Sequence, residues 1–411
     1  MRLIVIGGGA AGFFCAVNAA RLNPSLRVVL FEKTNKLLTK LTVSGGGRCN
    51  VTHACFSIPE MAAKYPRGQN FLKKTLHQFF TTDTIDWFKA RGVLLKTEPD
   101  GRMFPVTDDS LTIVNCLMRE AVKYKVEIRQ RTEVKEIRRT EKKFLITTSQ
   151  DEEEPCDLVC IACGRYPRSV LFNWIKATGH SIEDPVPSLF TFNIPDHPIT
   201  ALMGISVPAR VKIRGEKLEE TGPVLITHWG LSGPAVLRLS ARGARNLATV
   251  AYEFGVIVNW IPEFQEQALR AEMEQRRNQA GSQQVSSRNP FGLPHRLWEF
   301  LCTVAEIPDQ VRWAELTAVS MNKLIRSLNA YEISVRGKTT FKEEFVTAGG
   351  VRLSEIDPQS MESRLVEGLY FAGEIMDVDG ITGGFNFQHA WTSAWIAATH
   401  IAGVNLPKNA G

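Results

Sequence analysis

The stretch Ile4-Val5-Ile6-Gly7-Gly8-Gly9-Ala10-Ala11-Gly12 constrains this chain more than any other. An apolar strand runs into a helix through Gly7-x-Gly9-x-x-Gly12, and Glu32 closes the next apolar run, Val28-Val29-Leu30-Phe31. Each glycine has its own physical reason. Gly7 permits the tight turn, Gly9 lets a pyrophosphate reach the backbone, and Gly12 lets helix and strand pack closely. The helix start at Ala10 and Ala11 offers free N–H groups and a positive dipole end to phosphates. Glu32 lies about twenty residues past Gly12, the spacing at which an acid meets a ribose hydroxyl. A plain glycine-rich turn explains the triplet, but not the strand, the helix and the acid together. The pattern predicts a βαβ start that binds a dinucleotide.

A chain of 411 residues is long for one core, so two or three domains are expected. Its 44% hydrophobic and 22% charged residues are those of a globular protein. The apolar run after Met1 stops at Gly7, too short for a secretory signal core. No apolar stretch approaches a membrane span, so no membrane partner is expected. The eight cysteines lack the spacing of a disulfide framework, which points to a reducing, cytoplasmic setting. Cys160-Ile161-Ala162-Cys163 matches a C-x-x-C pattern. It lies in a strand-like run, where residues three apart point to opposite faces, and reads as two buried small side chains. No cysteine or histidine pairs have zinc-like spacing, so no metal is expected. The net charge of +6 is spread along the chain and permits a nucleic-acid partner without indicating one.

Periodicity organises the rest. A helix is expected over 13–22 and a strand over 27–32. A second helix spans 69–91, where Asp83 would break it by capping a new start, and a third spans 108–123. Strands follow at 126–128, 133–134 and 144–146. The acidic run Asp151-Glu152-Glu153-Glu154 reads as a solvated hairpin tip before a strand at 157–162. From Pro187 to about 260, short strands (189–194, 207–213, 224–227, 252–258) alternate with glycine and proline turns, as in a small antiparallel sheet or barrel. Residues 264–330 turn polar and helical, with 280–287 as a mobile loop. A strand returns at 331–335. The strand at 369–372 and a helix from about 387 are expected to rejoin the first domain.

Two further glycine clusters carry chemistry. In Ser44-Gly45-Gly46-Gly47-Arg48-Cys49-Asn50, three glycines allow backbone N–H groups to approach an anion, and Arg48 adds a fixed positive fork. Cys49 reads as a small residue packing this cradle rather than a reactive thiol. In Leu369-Tyr370-Phe371-Ala372-Gly373-Glu374, followed by Gly380-Ile381-Thr382-Gly383-Gly384-Phe385-Asn386, a strand ends in Gly plus an acid. Glycines then open another helix. A flavin uses both features: Glu374 suits a ribityl hydroxyl, and the helix start faces the N1/O2 edge of the ring. This favours FAD as the tightly held cofactor. No second fingerprint like Gly7–Gly12 follows a strand, so NAD(P)H is expected as a transient electron donor.

These blocks resemble the BaiN/YhiN-like family of NAD(P)/FAD-dependent oxidoreductases, the aminoacetone oxidase-like flavoproteins. Further matches are Gly101-Arg102-Met103-Phe104-Pro105, Thr227-His228-Trp229-Gly230-Leu231-Ser232-Gly233-Pro234, Thr347-Ala348-Gly349-Gly350-Val351 and Met361-Glu362-Ser363. The resemblance implies an α/β fold: a Rossmann-type FAD-binding domain interrupted by an insert of β-barrel plus helical bundle. The corresponding boundaries are 1–187 with 345–411 for the FAD domain, 188–262 with 331–344 for the barrel, and 263–330 for the helical part. Lys33, Val134 and Gly164 join the motif residues as expected cofactor contacts. The chain departs from the family where Ala-Thr-Gly becomes Ala162-Cys163-Gly164. A Gly- and Thr-rich stretch is likewise replaced there by Arg165-Tyr166-Pro167-Arg168-Ser169.

Reactions associated with the family include reduction of a carbon–carbon double bond conjugated to a carbonyl, in steroid-like enones or in uridine of ribosomal RNA. On that reading a small molecule or ribosomal RNA is the substrate. His228 is then the catalytic candidate, with Arg48 and Asn386 near the ring. Substrate would lie against the loop 227–234, where Trp229 offers a stacking face. The other reading is a flavin-bearing RNA-binding or assembly protein whose cofactor is mainly structural. The sequence leaves the oligomeric state open.

Overall fold

The computed structural model describes residues 1–141, 143–339 and 346–404. Within these the chain forms two compact units, the described parts of Met1–Val186 with Val346–Gly411, and of Pro187–Phe345.

The first unit is built on a five-stranded parallel sheet. Its strands are β1 (Arg2–Ile6), β2 (Arg27–Glu32), β3 (Glu127–Gln130), β4 (Leu158–Ile161) and β5 (Leu369–Phe371), in the order β5-β4-β1-β2-β3. Ile4 stands between Val29 and Val159, and Val159 in turn pairs with Leu369. Strands covered on both faces read as unbroken apolar runs, as Leu3 to Ile6 and Val28 to Phe31 do, all of them buried. The order reverses at β1, because β2 lies to one side and β4 to the other. That reversal opens a crevice at the strands' carboxyl ends, where such sheets hold ligands.

Helix α1 (Ala10–Leu22) is apolar on nearly every side, Asn18 and Arg21 excepted, because it is buried from Ala11 to Ala20. Helix α2 (Phe385–Ile401) packs along it. Around Phe14, the rings of Trp87 and Trp391 lie 4.6 and 5.1 Å away. Asn18 is fully buried in this cluster. Its amide donates to Phe14 O at 2.8 Å and accepts from Trp87 Nε1 at 2.9 Å, so no polar atom there is wasted.

The second unit is a seven-stranded antiparallel sheet wrapped round helix Pro234–Thr249, with three more helices, Glu266–Gln279, His295–Val304 and Ala318–Asn329. Tyr331–Arg336 pairs with Glu253–Asn259 at one edge. Past Gly337, Lys338–Thr339 pairs with Thr191–Asn193 at the other edge, so one stretch of chain curls the sheet into a barrel.

The helical stretch 69–91 does divide as expected at Asp83, into Gln69–Thr75 and Thr81–Lys89, with Asp83 Oδ2 accepting from Phe80 N at 2.7 Å. Other local expectations do change. The acidic run is not simply a solvated tip. Glu153 and Glu154 lie in a strand, Glu153–Cys156, and Glu154 is neutralised by Arg2 at 2.7 Å and by Arg129. The segment 280–287 is not a free loop. Val285 is fully buried, its N–H bonds Val311 O at 2.9 Å, and its carbonyl accepts from Trp298 Nε1 at 2.8 Å. Seven polar and small residues hide one apolar anchor. In the C-x-x-C stretch the near neighbour of Cys160 is Cys15, with sulfurs 3.6 Å apart, and all eight cysteines are free thiols. No described helix is long and apolar enough to cross a membrane.

The closest approach in the first unit supplies a test. A Cβ built on Gly12 would stand 1.9 Å from Gly7 O. Gly12→Ala should cost about 3 kcal/mol, read as a roughly hundredfold loss of amide exchange protection in β1 and α1. Wild-type protection would show that the helix tolerates a side chain there.

Candidate functional site: a cradle between two helix starts

The site grows from the turn after β1. Gly7 has φ +119°, a conformation L side chains rarely adopt, and its N–H bonds Phe31 O at 2.8 Å. Glu32, at the end of β2, turns its carboxylate back on this loop. One oxygen accepts from Gly8 N at 2.8 Å and the other from Thr34 N and Oγ1, each at 2.9 Å. A narrow cleft beside it is lined by Gly7, Glu32, Lys33, Val134, Tyr166 and Trp174. The structure therefore brings Lys33 and Val134 to Glu32, and adds two aromatic residues that the sequence reading missed.

The other end of the site comes from β5. Gly373, at φ +74°, approaches α1 so closely that a Cβ would lie 2.7 Å from Ala11 Cβ. Glu374 follows and pairs with Lys40. Burial alone would raise its carboxyl, but Lys40 and Arg165 together hold it below its ordinary value. Behind the turn, His389 is buried and its Nε2 lies 3.2 Å from Gly373 O. A carbonyl only accepts, so Nε2 carries the proton. Burial pushes the imidazole down to about 4 and keeps it neutral.

The loop from Met376 to Gly384 is tied down along its length. Asp379 is fully buried and paired with Arg67. Asn386 accepts from Gly380 N at 2.8 Å and donates to Gly380 O at 3.1 Å, so its amide closes the loop rather than reaching outward. Tyr65 donates to Phe385 O at 2.6 Å, and the His53 ring stacks on Phe385 with centroids 4.6 Å apart. With its amide turned so that nitrogen faces the Thr52 and Met103 carbonyls, Asn50 accepts from Gly384 N at 2.9 Å. Asn50 thus joins the Ser44–Asn50 cluster to the start of α2.

In that cluster, Gly45, Gly46 and Gly47 have φ of +59°, +68° and +84°. The fork of Arg48 is already engaged. It donates to Glu98 at 2.5 Å, lies 3.6 Å from Asp108, and stacks over Phe104 at 4.1 Å. Glu98 and Asp108 hold it above its ordinary pKa. Cys49 is fully buried, and burial pushes its thiol up to about 12. His228 belongs to the second unit, exposed in the turn between Glu219–Ile226 and Gly230–Ser232, with its ring edge-on to Trp229 at 4.1 Å.

These residues fit an FAD. A Cβ on Gly9, Gly46, Gly47 or Gly164 would meet nothing within 4 Å, so each borders open space. Gly9 and Gly384 cap α1 and α2, and neither helix has a side-chain cap or an acidic residue in its first turn. Both positive helix ends are left for an anion. A parallel sheet with this crevice, and an acid at each end of it, defines the dinucleotide-binding unit of a flavoenzyme.

Residues 1–400 match the family described as HI0933-like protein Rossmann domain, and the chain belongs to that family. It is an FAD-dependent oxidoreductase. The chain is 32% identical over 405 residues to a ribosomal RNA dihydrouridine synthase of Escherichia coli, covering 96% of each chain. It is 28% identical over 405 residues to a 3-dehydro-bile acid delta(4,6)-reductase of Clostridium scindens, covering 96% of this chain and 98% of the relative. Its fold matches a 3-ketosteroid-delta4-(5alpha)-dehydrogenase from Rhodococcus jostii with TM-score 0.51, 13% identity and 96% of each chain covered.

Two outcomes test this geometry. Because nothing crowds Gly9, Gly9→Val should fold with wild-type stability yet lose FAD affinity by about a hundredfold or more. Full FAD occupancy in the folded variant would refute the cradle. Cys49, as a buried neutral thiol, should resist iodoacetamide at pH 8 in the native protein and react only on unfolding, as read by site-resolved mass spectrometry.

Proposed function

We propose that the crevice holds FAD from Glu32 to the start of α2, and that the enzyme reduces a carbon–carbon double bond conjugated to a carbonyl. Glu32 meets the adenosine ribose, and the Lys33–Val134 cleft takes the adenine. The α1 N-terminus with Gly9 takes the pyrophosphate, and Glu374 meets the ribityl chain. The start of α2 at Gly383 and Gly384 then faces the ring edge where negative charge gathers on reduction. When bound, FAD supplies a two-electron carrier that accepts and delivers hydride.

One observation carries the choice of bond. Two relatives that cover almost the whole chain have names for quite different molecules, a bile acid and ribosomal RNA. Uridine becomes dihydrouridine by saturation of a bond conjugated to a ring carbonyl, and an enone reductase saturates the same kind of bond. The common chemistry is the conjugated double bond, with NADH or NADPH as a transient donor. The described residues contain a single Gly-x-Gly-x-x-Gly turn between a strand and a helix, which supports a donor that visits rather than stays.

The test uses the yellow holoenzyme without oxygen. NADH or NADPH should bleach the flavin saturably. A 3-keto-Δ4 steroid or a uridine-containing ribosomal RNA fragment should then restore the colour, with the saturated product seen by mass spectrometry. Reoxidation by oxygen alone, with neither acceptor consumed, would overturn the bond assignment. A tightly co-purifying nicotinamide nucleotide would overturn the transient-donor reading.

A further inference from the structure

Just past Gly164 the chain places a cation beside the crevice. Arg165 stands just past β4, on the carboxyl side of the sheet, next to the turn of Gly7, whose Cβ would meet Ala162 O at 2.5 Å. Its guanidinium reaches toward β5. Nη2 donates to Val378 O at 2.6 Å and to Met376 O at 3.2 Å, the carbonyls two and four residues past Glu374. Nε and Nη1 are buried and, among the described residues, have no partner.

That arrangement is costly for a guanidinium. A buried donor without an acceptor loses its hydration without replacement, and the loss is greater when it carries charge. The carboxylates of Glu374, Asp377 and Asp379 offset its charge from a distance, but none accepts a hydrogen bond from it. Glu374 is paired with Lys40 and Asp379 with Arg67, whereas the acceptors of Arg165 are neutral carbonyls. Among the described residues Arg165 forms no ion pair. His389, behind Gly373, is neutral and adds no charge. The bonds of Arg165 are all to the loop between Glu374 and Gly380. If Glu32 marks the adenosine end and the α1 start the pyrophosphate, this loop belongs to the flavin half of the site.

We propose that Arg165 is the charge that tunes the bound flavin, its fixed cation favouring the reduced cofactor. Reduction of the ring takes up two electrons and one proton, so the product carries one more negative charge than the oxidised form. A nearby cation that cannot be deprotonated stabilises the product over the reactant and raises the reduction potential. The electrons come from the nicotinamide donor, or from the reductant of a titration. Arg165 acts as a positioning charge on the cofactor.

The inference rests on the cofactor placement proposed above, and the two fail differently. Wrong placement shows as full FAD occupancy in Gly9→Val, whatever the potential. The charge is read from the midpoint potential of bound FAD, by equilibrium titration against a redox dye. Arg165→Gln keeps an amide donor for Val378 O and removes the charge. Its preference for the reduced form should fall about tenfold, or about 30 mV for a two-electron couple. Arg165→Lys keeps the charge without the fork and should stay within about threefold of wild type. A Gln variant that holds FAD at the wild-type potential overturns the proposal. If the Gln variant sheds FAD, the Lys variant decides. A wild-type-like potential in Lys supports the charge, and a tenfold fall there overturns it.

Discussion

The N-terminus of α1 can stand in the crevice only because three backbone segments come close to it without side chains. Gly12 lets the helix lie on the carbonyl of Gly7, Gly7 lets β1 turn against Ala162 beyond β4, and Gly373 lets the β5 turn abut Ala11. Each contact would fall under 3 Å if a Cβ were added. These are steric facts about backbone, and they fix where a positive helix end points before any ligand arrives. Glu32 and Glu374 then gain their meaning from position, one at each side of a helix start that the glycines have set.

The loop from Met376 to Gly384 shows a second kind of constraint. It has no strand or helix of its own: isolated bridges join Met376 to Val351 and Asp379 to Arg67, Ile381 N bonds Lys64 O, and side chains drawn from elsewhere complete its order. Arg67 holds Asp379, Arg165 holds two carbonyls, Asn386 spans Gly380, and Asn50 holds Gly384. A loop held this way loses little freedom when a cofactor binds, because its ordering entropy is already lost on folding. The polar groups of Asn386 and Arg48 are likewise committed to neighbours, to Gly380 and to Glu98.

What the sequence made legible was local and glycine-based. The strand–glycine–helix pattern, the acid after β2 and the paired glycines before α2 depend on spacing along the chain, and spacing is visible in a sequence. Asp83 as a helix start is of the same kind. Contacts between distant segments were not legible. Nothing near Glu154 announces that Arg2 will neutralise it, and nothing in 280–287 except Val285 marks a buried anchor. Tyr166 and Trp174 reach the Glu32 cleft only because β4 lies beside β1, a topological fact. A usable signal did exist: residues just past a strand at the reversal point of a doubly wound sheet border its ligand crevice.

The same reasoning separates what the family shares from what this chain adds. The cradle is made of glycine backbone, helix ends and two acids, and such parts bind a cofactor without reading a substrate. Relatives with names as different as a bile acid reductase and a ribosomal RNA dihydrouridine synthase can therefore align with this chain almost end to end. Selectivity has to come from side chains that border the crevice without building it. In the first unit the stretch after Gly164 is such a place. Gly164 keeps the open space a cofactor needs, while Arg165 brings a charge that carbonyls alone do not neutralise. Glu374, Asp377 and Asp379 act on that charge only from a distance, and two of its guanidinium nitrogens have no acceptor among the described residues. The stretch after Gly164 thus adds a charge beside the crevice without disturbing the glycine backbone that builds it.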